Sequence, residues 1–218
     1  MAEKVIAYSL GVVPTVFDRT SRSHFYGGGT ESKHLVLGAD NRSYIERLYD
    51  IRWINNWKAM RKAGLPVVPD ILLNPMRRFM LLTDIKADGS EAYGKALSRC
   101  LEYPSIIPRD RPRPDIDQLF LNLTTPENLP KIKQAVDKLV ATANTSNIEL
   151  PKDDAVELVI HPDGSWGLMT LDLQYAKTLT PQTQAEIDAR RSSNITSTAR
   201  FLRHIKIIRQ CLTTPNER

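Results

Sequence analysis

Ala155-Val156-Glu157-Leu158-Val159-Ile160-His161-Pro162-Asp163-Gly164-Ser165-Trp166-Gly167-Leu168-Met169-Thr170-Leu171-Asp172 is the stretch on which the fold turns. Two apolar runs flank Pro162-Asp163-Gly164, where proline presets one backbone angle and glycine accepts a positive one, so a β-hairpin is expected near 155–172. A carboxylate placed directly after Leu168-Met169-Thr170-Leu171 is costly unless paired or coordinated, which makes Asp172 the first candidate for chemistry. The competing reading is a strand-end or cap carboxylate.

Upstream, Thr125-Pro126 is a cap followed by a proline, and Leu129, Ile132, Val136, Leu139 and Val140 recur at helical spacing, so a helix ending near Asn144 is expected. Residues 104–115 hold Pro104, Pro108, Pro112 and Pro114 and read as polyproline or irregular chain. Downstream, Thr180-Pro181 repeats the cap-plus-proline start, and Phe201, Ile205, Ile208 and Leu212 form the stripe of a terminal helix.

The first half reads differently. Val5-Ile6-Ala7-Tyr8 and Val12 to Phe17 suggest a hairpin or N-terminal flap. Strands are then expected at Ser23–Phe25, Lys33–Leu37 and Ser43–Tyr49, with Gly27, Gly28 and Gly29 between the first two. Trp53, Trp57 and Met60 mark an amphipathic helix from Asp50 to Ala63, stopped by Gly64 and Pro66. Two more strands, 67–73 and 79–83, precede a short helix near Glu91 to Leu101.

Composition bounds the answer. The 218 residues carry 30 basic and 25 acidic side chains, a net charge of +5, and 14 prolines. That suits a phosphate-bearing ligand and falls short of a nucleic-acid-binding stripe. Cys100 and Cys211 stand apart with no metal spacing around them. There is no apolar leader at Met1–Val5 and no run of about 18 apolar residues, so no membrane association is expected. The four histidines are dispersed, leaving hydrolase chemistry without a nucleophile-base grouping.

Three strands, helix, two strands, link, helix, and a hairpin ending in a carboxylate is an order that resembles the protein-kinase-like superfamily, over roughly Phe25 to Ala176. The resemblance implies an α+β fold: a five-stranded antiparallel N-lobe with one helix over residues 1–86 with its flap, and a reduced, mainly helical C-lobe over 87–218. It implies ATP and Mg²⁺ as cofactors. Gly27, Gly28 and Gly29 would cover the phosphates, since backbone N–H groups close on phosphate oxygens only where side chains do not intervene. The third strand, Tyr44-Ile45-Glu46-Arg47-Leu48-Tyr49, lacks the family's lysine, so Arg47 would clamp the phosphates, or Lys33 would from the neighbouring strand, or this half of the site is dead. The competing reading of Glu46 and Arg47 is a solvated strand face. The backbone of Thr83, Asp84 and Ile85 would meet the adenine edge.

Asp172-Leu173-Gln174 stands where the family carries Asp-Phe-Gly, making Asp172 the metal ligand. Asp154 precedes it by 18 residues, so Asp153 or Asp154 in Leu150-Pro151-Lys152-Asp153-Asp154 would orient the acceptor hydroxyl. The place of the family's asparagine falls on Glu157 or Val159, and Glu157 could serve a hard cation. The helix from Asp50 to Ala63 contains no glutamate, a second departure. The resemblance, which extends to aminoglycoside-phosphotransferase-like kinases, therefore implies a small kinase acting on a hydroxyl, with a protein as substrate or partner, and a reduced second lobe similar to that of small bacterial effector kinases delivered into host cells. The alternative is a pseudokinase, a binding module that kept the fold and lost the site. The two separated cysteines fit a reducing compartment, either the cytoplasm or a host cell reached by a specialised secretion system.

Overall fold

A computed structural model describes residues 3–9, 15–23, 34–38, 43–73, 79–86, 88–102, 114–152, 156–171, 173–180 and 183–214, with backbone alone before Tyr44. It is a mixed α+β protein built from antiparallel sheets and helices. Contacts divide it into two compact units: residues 1–51 with 68–89, and 52–67 with 90–218.

The first unit is a sheet. Strands β1 (Glu3–Ser9), β2 (Thr15–Ser23), β3 (His34–Gly38), β4 (Ser43–Leu48), β5 (Ile71–Leu73) and β6 (Phe79–Thr83) run in the order β1-β2-β3-β4-β6-β5. Every pairing is antiparallel, and β5 returns to β1 through Tyr8↔Leu73 and Ser9↔Leu72, closing a barrel. Among the described residues six strands stand where five were expected. The N-terminal segment forms the expected hairpin, β1 against β2, and β1 also pairs the edge of β5 that would otherwise stand unpaired. Tyr44, Ile71, Leu72, Met80 and Leu81 are buried here.

The second unit opens with α1 (Ile51–Lys62), which buries Trp53, Ile54, Trp57 and Met60 as the spacing predicts. Gly64 ends it at φ +75, with Gly64 N donating to Arg61 O and Leu65 N to Met60 O, the paired bonds of a left-handed helix stop. Strand β7 (Glu91–Tyr93) occupies the place where a helix was expected to begin, and α2 (Lys95–Glu102) follows. Glu91 and Tyr93 are ladder partners of a later strand, and that pairing overrides local helix propensity.

Helix α3 (Pro114–Leu123) was not expected at all. Its opening is well suited to a helix start: a proline in the first turn, Asp115 and Asp117 beside the positive end, and Ile116 and Phe120 buried four apart. Residues 103–113, with most of the proline-rich stretch, lie outside the described residues.

Helix α4 (Leu129–Thr145) buries Ile132, Val136, Leu139 and Ala143. Strand β8 (Ile148–Glu149) leaves it after Asn147, whose φ of 57 lets the chain reverse. The expected hairpin forms: β9 (Glu157–Ile160) pairs with β10 (Trp166–Met169), and β7 adds to the outer edge of β9. A single 3-10 turn, Leu173–Tyr175, leads to β11 (Lys177–Thr178), which pairs with β8.

Helix α5 (Gln184–Thr213) is continuous over 30 residues and starts at Thr183 rather than at Thr180-Pro181. Thr183 carries a reciprocal cap: its hydroxyl accepts from Glu186 N at 3.3 Å while its own N–H donates to Glu186 Oε2 at 2.9 Å. The helix packs against α2, α3, α4 and β8. Its first half buries polar groups, Arg190, Asn194, Ser197 and Thr198, and its second half buries Phe201, Ile205 and Ile208.

Candidate active site

In the barrel unit, strand alternation puts Glu46 and Arg47 on opposite faces, yet both are buried, at 1% and 6% exposure. A solvated strand face, the competing reading for this pair, is thereby excluded. Each is engaged in polar interactions, as buried charges must be. Arg47 lies opposite Met80 and Tyr44 opposite Thr83, so Arg47 sits three ladder positions, about 10 Å, from Thr83. The Thr83 N–H is already committed to Asp70 O at 3.2 Å, and its hydroxyl accepts from Asp70 N at 3.3 Å. Asp84 and Ile85 follow the last ladder pair, with Asp84 buried and accepting from Lys86 N at 3.0 Å. Gly27, Gly28, Gly29 and Lys33 lie outside the described residues.

In the second unit, two short strands bring distant segments together. The pairs Glu149↔Lys177 and Ile148↔Thr178 join the chain on either side of residues 150–176. Asp153 and Asp154 follow this clip by four and five residues, and Asp172 precedes its other strand by five. These three aspartates lie outside the described residues, but their flanks do not. Leu150 and Leu173 are fully buried, and Thr170 N donates to Pro66 O at 2.8 Å. Asn56 of α1 donates to both Leu173 O and Ala176 O at 2.7 Å. Among the described residues no group of three or more His, Cys, Asp or Glu is arranged to hold a metal ion.

The clip is locked from α5 by a residue that the sequence reading passes over. Asn194, with no exposed surface, accepts from Leu150 N at 2.8 Å and donates to Asn144 Oδ1 at 2.8 Å and Ile148 O at 2.9 Å. Around it Arg190 Nη2 donates to Asn144 O at the end of α4, and Ser193 Oγ donates to Glu149 Oε1, whose other oxygen faces Lys177 Nζ at 3.6 Å. A signal for this was present. Arg190, Asn194, Ser197 and Thr198 continue the face of Phe201, Ile205 and Ile208 at helical spacing, which marks a polar stripe on a buried side.

Glu157 begins β9 and is buried, with its carboxylate against Gly94 at the start of α2. A carboxylate there favours the positive end of the helix. A methyl built on Gly94 would run into the Glu157 carboxylate. Gly94→Ala is therefore expected to lower stability by about 1–3 kcal/mol through overpacking. In urea unfolding the double variant with Glu157→Ala should recover part of that loss, giving a non-additive cycle; strict additivity would refute the contact.

At the hairpin turn, Asp163 Oδ1 accepts from Ser165 N at 2.8 Å, and Gly164 supplies φ +84. Hydrogen bonds from Ser165, side chain first and then backbone, hold the Asp163 carboxyl below the ordinary aspartate range. Since the folded pKa is depressed, the stabilisation is fully present above the unfolded value and is lost as pH falls through the folded one. Thermal melts of wild type and Asp163→Asn should thus differ by a constant amount near neutrality and converge in acid. Ser90 Oγ lies 2.6 Å from His161 Nδ1 at the same end of the hairpin, and Ser90 has no exposed surface, which rules it out as a nucleophile in this state.

No protein-family model matches the chain, and no curated protein matches it. Solved structures do. A rhoptry kinase from Toxoplasma gondii superposes with a TM-score of 0.45 at 15% identity, covering 84% of this chain and 55% of that one. A rhoptry antigen kinase domain specific to Toxoplasma gondii gives 0.45 at 13% identity, covering 87% and 61%. The chain thus spans less than two thirds of either structure. No described helix is long and apolar enough to cross a membrane.

Proposed function

We propose that this chain is a small kinase-like phosphotransferase that uses ATP and magnesium to phosphorylate a hydroxyl on a protein. The observation that supports the proposal is the β8–β11 clip, whose two strands flank the stretch 150–176 in which Asp153, Asp154 and Asp172 occur in sequence. Phosphoryl transfer is mostly positioning and charge stabilisation, so a reduced scaffold suffices if its carboxylates are held.

In this reading Asp172 holds the metal, and Asp153 or Asp154 accepts a hydrogen bond from the acceptor hydroxyl and orients it. Magnesium, when bound, neutralises phosphate charge. Aspartate oxygens are the hard donors that it takes. Glu157 is a poorer candidate for that ion than Asp172, because its carboxylate is seated against Gly94. Arg47 or Lys33 supplies positive charge to the phosphates, Gly27 to Gly29 cover them, and the chain past Thr83, at Asp84 and Ile85, meets the adenine edge. Arginine in that place binds phosphate through a rigid fork rather than a point charge, so Arg47→Lys is not a conservative change.

A second reading, a binding module without transferase activity, draws on one specific observation. Helix α1 contains no glutamate, and its Asn56 is spent on the backbone of Leu173 and Ala176. A thermal-shift titration with ATP and magnesium separates the two, since a ligand that binds only the folded state raises its melting temperature. A magnesium-dependent rise supports the phosphotransferase; no rise in wild type supports the binding module.

A further inference from the structure

The sign of the charge along α5 changes abruptly. From residue 189 to residue 216 the chain has six basic side chains, Arg190, Arg191, Arg200, Arg203, Lys206 and Arg209, and no acidic one. Their uses differ. Arg190 is buried against α4, Arg209 donates to Leu121 O and Thr124 Oγ1, and Arg191 lies 3.9 Å from Asp188. Arg203 and Lys206 are exposed, and their side chains make no hydrogen bond or ion pair among the described residues. Thr196 and Ala199, small and exposed, precede them on the same face.

This face begins beside the candidate catalytic segment. Arg200 Nη1 donates to Lys152 O at 3.2 Å, and Lys152, itself exposed, immediately precedes Asp153. Arg203 lies about 4.5 Å and Lys206 about 9 Å further along the helix axis from Arg200.

We infer that the α5 face carrying Arg203 and Lys206, together with Lys152, docks an acidic stretch of the protein whose hydroxyl is phosphorylated. The inference rests on the phosphotransferase reading and adds to it the class of acceptor. An extended peptide advances about 3.3–3.6 Å per residue, so acidic residues one or two positions apart would match the roughly 4.5 Å between Arg203 and Lys206 along the helix axis. The face has no exposed aromatic to stack on bases, as single-stranded nucleic acid binding requires. Its exposed apolar side chain, Ile195, stands among small, polar and charged positions and does not make the continuous apolar side of a membrane-surface helix.

The test uses the full chain and two fluorescent peptides with one serine each, followed by glutamates in one and by glutamines in the other. Expected are preferential binding of the glutamate peptide, weakening with salt, and a loss of about tenfold or more in affinity for Arg203→Glu/Lys206→Glu, with an unchanged melting temperature. In turnover the same variant should raise KM for the glutamate peptide while leaving kcat close to wild type. Asp172→Asn should bind the glutamate peptide as wild type does, which separates the two readings. Binding without turnover in wild type keeps the docking surface and sinks the transferase, whereas turnover indifferent to peptide charge keeps the transferase and sinks the docking surface. Equal affinity for both peptides, or charge-reversal sensitivity seen only with single-stranded DNA or anionic vesicles, overturns the proposal.

Discussion

Asn194→Ala is expected to destabilise the protein by about 3–5 kcal/mol, read as a fall in the urea midpoint with little change in slope. The side chain has no exposed surface and makes three hydrogen bonds that tie α4, β8 and the chain after β8 to α5. Alanine leaves the Leu150 N–H and the Ile148 carbonyl facing a dry cavity, and each buried group without a partner costs about 1–3 kcal/mol. Asn194→Asp should fare no better, since it keeps the acceptor for Leu150 N but loses both donors and buries a charge. A loss under about 1 kcal/mol for alanine would mean that water replaces the amide and that the clip is held by its ladder alone.

The second large effect concerns chemistry. If the proposed function is right, Asp172→Asn lowers phosphoryl transfer by about a thousandfold, because replacing the carboxylate removes several kcal/mol of stabilisation at the metal. The amide is nearly the same size, so melting without nucleotide should hardly move, while the magnesium-dependent shift disappears. Asp153→Asn and Asp154→Asn, assayed separately, should show which orients the acceptor: one lowers kcat steeply, the other slightly. Retained activity in Asp172→Asn would remove the metal role from this residue.

Periodicity made some elements legible and could not reach others. Trp53, Trp57 and Met60 mark α1, and the Pro-Asp-Gly turn marks the β9–β10 hairpin, because each follows from local spacing and turn chemistry. The closed barrel was not legible, since the pairing of β1 with β5 joins residues over sixty positions apart and leaves no local trace. Helix α3 was obscured by the prolines before it, although Pro114 itself is a favourable first residue. At the site, the residue types of Arg47 and Glu46 were readable and their burial was not, because charged side chains on a strand read as solvent-facing from sequence. Asn194 shows the same limit: an asparagine in a helix reads as a surface residue until the face that it shares with Phe201 and Ile205 is considered.

The hydrogen bonds of Asn194 also set an order of events during synthesis. They span 44 to 50 residues of chain, and each runs backwards, from a late helix to groups made earlier. While the ribosome is still making α5, helix α4 and the β9–β10 hairpin can already form from local contacts, but β8 has no amide to answer its carbonyl. Contacts between distant residues are made late because loop-closure entropy must first be overcome. The segment between β8 and β9, where Asp153 and Asp154 reside, therefore gains its fixed starting point only after α5 emerges. A nascent chain stopped short of Asn194 would carry the secondary structure that precedes α5 and none of the lock.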